Sequence, residues 1–231
     1  MKIYIKHMSA QDEWEYLCGC YKEYHSVLKK FKYNYDFLIP DSDYIRDMFN
    51  HDSLTDEQEK YYHDMFIKHV YKKSDLTRLD DEIKLAVNKL KTEIKNTLAP
   101  LVISWGATLP ETLTIVCCYG MGGGYFYAKP EKIYFRMSRF LGNKYGIFHL
   151  LVHEFIHILI EKPIIKKYKV PQDLKERIVD IICYEFFKKP VQDKFKKSFA
   201  NKYITLDVIK NNLPKTVKQM MTDYKKQHID K

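Results

Sequence analysis

Gly146-Ile147-Phe148-His149-Leu150-Leu151-Val152-His153-Glu154-Phe155-Ile156-His157-Ile158-Leu159-Ile160 is the most apolar run of the chain, interrupted by three histidines and one glutamate. It is shorter than the roughly 18–20 residues a membrane span requires, so no transmembrane helix is expected. Asn143 can cap a helix here, and Pro163 is expected to stop it near Lys162. Within it stands His153-Glu154-Phe155-Ile156-His157, an H-E-x-x-H arrangement. Residues i and i+4 lie almost above one another, so two imidazoles project from one face and can hold one divalent ion; Glu154 sits about 100° round, beside the ion's open position. Two His and a Glu set among Leu, Phe and Ile would be costly to bury without such a partner. His149 continues the stripe one turn earlier, which offers a further metal or substrate ligand, but it is read as a partly exposed or hydrogen-bonded histidine.

The next apolar periodic stretch, residues 172–187, predicts a second helix that ends before Pro190 and carries Glu176 and Asp180 one turn apart on one face. A catalytic zinc wants three protein ligands and an open position. Glu176 lies nineteen positions after His157.

This combination resembles the gluzincins, the thermolysin-like zinc metallopeptidases, in which H-E-x-x-H is followed about twenty residues later by E-x-x-x-D on a second helix and the ligand set is His₂Glu. The likeness covers about residues 112–184. It implies a Zn²⁺ cofactor held by His153, His157 and Glu176, Glu154 as general base, and Asp180 as acceptor for an imidazole N–H. Lys175 stands where such sequences often have Asn, which leaves Asp180 open as third ligand in place of Glu176. The family usually supplies an oxyanion donor, Tyr or His, beyond the second helix; Tyr203 is the candidate, with Tyr184, Tyr119, Tyr125 and His228 as alternatives. The activity implied is peptide-bond hydrolysis, on a peptide or protein substrate.

Before the apolar helix, residues 113–119 and 132–137 are rich in β-branched and aromatic residues and read as two strands, with glycines at 120 and 122–124 between them. That glycine stretch lacks the Gly-Lys-Ser/Thr of a phosphate loop. The gluzincins carry an antiparallel, substrate-binding edge strand in this part of the fold. If residues 113–119 form an exposed edge, a peptide could pair with it in extended form. Residues 11–31, 55–70 and 80–98 read as helices, the second opening with Thr55 and Gln58 in capping-box spacing. The expected fold is α+β: a zincin-like core with a small, mostly antiparallel sheet. The expected division is a helical lobe over residues 1–99 and a catalytic domain over 100–231.

With 45% hydrophobic and 30% charged residues among 231, the chain has the composition of a folding protein of one or two domains. Five cysteines without a CxxC pair read as reduced thiols, and the N-terminus lacks the apolar segment of a secretory signal, so a cytoplasmic protein is expected. The net charge of +9 is uneven: residues 1–160 hold 21 basic and 21 acidic side chains, residues 161–231 hold 18 and 9. The alternative function is therefore a non-enzymatic zinc protein whose basic last third binds nucleic acid or an acidic protein.

Overall fold

A computed structural model of the chain describes residues 1–26, 29, 39–118, 124–136, 146–189 and 198–229. Four strands, β1 (Lys2–His7), β2 (Thr112–Cys118), β3 (Gly124–Ala128) and β4 (Glu131–Arg136), form one sheet in the order β1-β2-β4-β3. Both β1 and β4 run parallel to β2, with Ile5 and Ile133 flanking Ile115. Only β3 is antiparallel, pairing Phe126 with Ile133 of β4. The expected mostly antiparallel sheet is thus corrected to a mixed one. The reason lies in the path: from β2 the chain goes first to the outer edge as β3, turns at Lys129-Pro130 and returns as β4 in between, parallel to β2. A second correction follows, because the strand read as a possible edge, β2, is interior, and the edges are β1 and β3.

The helices are α1 (Ala10–Ser26), α2 (Asp43–Asn50), α3 (Asp56–Met65), α4 (Lys73–Thr77), α5 (Asp80–Glu93) and α6 (Ala99–Ser104) before β2. After β4 come α7 (Gly146–Ile160), α8 (Gln172–Phe187), α9 (Leu206–Asn211) and α10 (Leu213–Ile229). The capping box of α3 is formed: Gln58 N–H donates to Thr55 Oγ1 at 3.2 Å and Thr55 N–H to Gln58 Oε1 at 3.0 Å. Pro163 does not end the helical path; α7 runs on through a wide turn, Glu161–Lys166, and a similar turn, Ile94–Leu98, precedes Pro100 in α6. A widened turn relieves the clash between a proline ring and the carbonyl four residues back. The expected cap Asn143, residues 30–31 of the first helix, Met137 and Pro190 lie outside the described residues.

Alternation along the strands divides the interior. Leu113, Ile115 and Cys117 of β2, with Ile133 and Phe135 of β4, face a large core built with α5, α7, α8 and α10 and drawn from residues 79–221. Val116 and Cys118 face the other way, with Met8, Tyr16 and Tyr134. A separate helical core holds Trp14, Leu17, Phe49, Tyr62 and Phe66, all between residues 14 and 70. These two sets of buried residues are drawn from 79–221 and from 14–70, and β1 belongs to the sheet. Helix α7, apolar on every side, is enclosed by β3, β4, α5 and α8. Among the described residues no helix is long and apolar enough to cross a membrane.

Candidate metal centre

Helical spacing brings His153 and His157 of α7 onto the side that meets α8, and α8 adds Glu176. Their donor atoms form a small triangle: His153 Nε2 to His157 Nε2 is 3.1 Å, His157 Nε2 to Glu176 Oε2 is 3.2 Å and His153 Nε2 to Glu176 Oε2 is 3.3 Å. A tetrahedral ion about 2.0–2.1 Å from each ligand requires ligand atoms about 3.3–3.4 Å apart, so the triangle fits one face of such a tetrahedron. Among the described residues this is the group of His, Cys, Asp and Glu side chains close enough to share an ion. Exposure rises from His157 at 2% through His153 at 13% to Glu176 at 30%, so the triangle opens to solvent on the α8 side.

Asp180 sits behind the triangle rather than in it. Its Oδ1 lies 3.5 Å from His153 Nδ1, and Lys189, just past the end of α8, reaches the same two atoms. Lys189 Nζ is 2.8 Å from His153 Nδ1 and donates to Asp180 Oδ1 at 3.1 Å. The two neighbours make opposite demands on one ring. Asp180 accepts a hydrogen bond from Nδ1–H and leaves the Nε2 lone pair free for an ion; an ammonium has no lone pair and can only donate to a bare Nδ1, which puts the ring proton on Nε2. His157 is held differently. Its ring stacks on Phe126 of β3 with centroids 4.9 Å apart and planes 5° off parallel, and its Nδ1 is buried without a hydrogen-bond partner among the described residues.

The electrostatics follow from burial and these contacts. Burial opposes charge on His153, but the side chains of Asp180, Cys183 and Glu176 outweigh it and push the imidazole up to about 11. Burial likewise works against the Glu176 carboxylate, yet His153 and His157 hold it well below the usual carboxylate range. Asp180 is also lowered against burial, by His153 and Lys189. His157 is pulled down by burial and stays neutral. Without an ion, a protonated His153 supplies the positive charge between the two carboxylates; its Nδ1–H then donates to Asp180, and the Lys189 ammonium, itself only a donor, cannot bond that nitrogen in this state. Glu154, only 7% exposed, is pushed up by burial to about 7, against the pull of His153.

Other candidates are placed elsewhere. Tyr203 donates from its hydroxyl to Asp223 Oδ2 of α10 at 3.1 Å and has no contact with the triangle among the described residues. Tyr184 is exposed on α8 with Lys188 over its ring. Tyr119 and the side chains of Tyr125 and His228 lie outside the described residues. His149 Nε2 is bonded to the Phe187 carbonyl at 3.1 Å. Three residues near the site carried no sequence signal: Lys189, Phe126, and Arg177, a buried guanidinium that donates to Asn201 Oδ1 and whose Nη1 has no hydrogen-bond partner among the described residues. All three reach their places through tertiary packing rather than through helical spacing.

Compared with protein-family models, with curated proteins and with solved structures, the chain shows no match.

Proposed function

We propose that this chain is a zinc-dependent peptidase of the gluzincin type. The observation that carries the reading is the triangle of His153, His157 and Glu176 at tetrahedral spacing, with a buried Glu154 next along α7 whose carboxyl titrates near neutrality. Two imidazoles and a carboxylate suit zinc among the divalent ions. A bound ion would supply Lewis acidity, polarising a scissile carbonyl and acidifying a water. Glu154 would accept a proton from the attacking water and return it to the leaving amine, work for which a pKa near the operating pH is best. Asp180 would hold the His153 ring and its tautomer, and Phe126 the plane of His157. The open edge of β3, whose Phe126 touches His157, offers main-chain groups to an extended peptide. Tyr203 would have to leave Asp223 to serve the oxyanion.

The test is metal content and peptide cleavage measured on the same preparations. Wild type should hold about one zinc per chain, Glu176→Ala should lose it, and Glu154→Gln should keep it while losing hydrolysis. A wild-type protein that takes up no divalent ion, or a Glu154→Gln variant as active as wild type, overturns the proposal. The basic excess of residues 161–231, 18 basic against 9 acidic side chains, favours a second reading: a metal site without catalysis in a protein that works through its basic last third. Metal uptake with no cleavage of any peptide library by wild type would support that reading.

A further inference from the structure

The charge excess of the last third is only partly compensated within the fold. Lys166 faces Glu161 at 3.8 Å and Lys189 faces Asp180. Four other lysines converge without an acidic partner among the described residues: Lys167 and Lys169, where the path from α7 ends, and Lys218 and Lys225, two turns apart on α10. They line one groove of about 240 Å³ together with Tyr168 and Thr222, over a floor that includes the buried Met221, and among the described residues no acidic side chain lines it. Lys167 Nζ lies 5.5 Å from the centre of the Tyr168 ring. Lys169 holds a left-handed backbone, φ 54°, at the corner that carries its side chain.

Four ammonium groups around one concavity repel one another, and the concavity focuses their field, so an anion seated there relieves the repulsion. The groups are lysines throughout. A point charge on a flexible stem suits phosphate oxygens met from any direction, whereas carboxylates are best recognised by the paired donors of arginine. Four cations exceed what one phosphate needs, and an aromatic ring among them suits a base. We propose that the groove binds single-stranded nucleic acid, with successive phosphates against Lys167, Lys169, Lys218 and Lys225 and a base beside Tyr168. This site is separate from the metal centre and stands or falls independently of it.

The experiment is fluorescence anisotropy of a labelled single-stranded oligonucleotide of about 12 nucleotides with the full chain, from about 50 to 200 mM salt. Replacing the four groove lysines by Gln should weaken binding at least about tenfold and reduce the salt slope by roughly 3, near 0.7 for each phosphate of a single strand that is no longer neutralised. A second variant, Lys60→Gln, Lys68→Gln, Lys91→Gln and Lys95→Gln, removes the same charge from exposed positions outside the groove and should bind as wild type does. Circular dichroism of both variants checks that these surface changes leave the fold intact. Equal weakening in the two variants would reduce the effect to net charge and overturn the site. So would undetectable binding by wild type, displacement of the oligonucleotide by a poly-glutamate peptide at equal concentration, or saturation by pyrophosphate as tight as by the oligonucleotide.

Discussion

The His153 ring is where the chemistry of the centre is set, because the same nitrogen, Nδ1, meets both Asp180 and Lys189. With its pKa pushed up to about 11, His153 holds a proton at neutral pH when no ion is bound, and an ion must displace that proton to reach Nε2. Metal affinity should therefore fall as pH falls, and calorimetry at pH 7 in buffers of different ionisation enthalpy should show about one proton released per ion bound. A release of zero would mean that His153 is neutral before binding. The two neighbours also predict changes of opposite sign. Asp180→Asn should weaken zinc binding by about 10–100-fold, while Lys189→Met should strengthen it, both read by competition with a chelator. The pair His153 and His157 was legible in the sequence because helix geometry alone fixes an i, i+4 pair; periodicity set Glu176 and Asp180 together on one face of α8, and the preference for Glu176 came only from the resemblance to the gluzincins. Lys189 was not, because it comes from beyond the end of α8 and meets the ring only once α7 and α8 are packed.

Helix α7 was legible for a related reason: a run of apolar residues on every side of a helix demands enclosure, and it is enclosed. Strands fared less well. β1, Lys2–His7, sets only Ile3 and Ile5 inward against the core, and six residues of half-apolar alternation at a chain end carry a weak signal until β2 supplies a partner. Its parallel pairing, and the return of β4 between β2 and β3, depend on contacts far apart in sequence that no local pattern encodes. The proline at 163 misleads for the opposite reason, since its rule is local and the widened turn overrides it. Long-range ties of this kind can be weighed individually. Trp105, just past α6, is fully buried and donates from Nε1 to the Ile209 carbonyl of α9 at 2.7 Å. Trp105→Phe keeps most of the packing but leaves that carbonyl unpaired, and should cost about 1–3 kcal/mol; Trp105→Ala should cost about 3–5 kcal/mol. Urea midpoints at unchanged slope are the measure. Equal destabilisation by the two substitutions would mean that packing contributes little at this joint.

Among the described residues the two larger cores are drawn from residues 14–70 and from 79–221, beside a small cluster on the other face of the sheet, and the metal centre lies in the second. A buried carboxyl in that core makes its stability depend on pH in a direction unlike that of most carboxylates. Glu154 is raised from 4.5 to about 7 when folded. Between those two values the unfolded chain has lost the proton that the folded chain still holds, so folding takes up a proton and stability falls as pH rises. The loss attributable to this one group reaches roughly 3 kcal/mol above pH 7 and is absent below about pH 4. Glutamine keeps the shape of the side chain and removes the ionisation. Metal-free Glu154→Gln should therefore match wild type near pH 4 and exceed it by roughly 3 kcal/mol at pH 8, in denaturant unfolding of the main core. Zinc should narrow that gap, because a cation beside Glu154 favours its carboxylate form. Should the variant gain nothing at pH 8, the side chain is an ordinary solvated carboxylate, and the poised base on which the hydrolytic reading depends loses its physical basis.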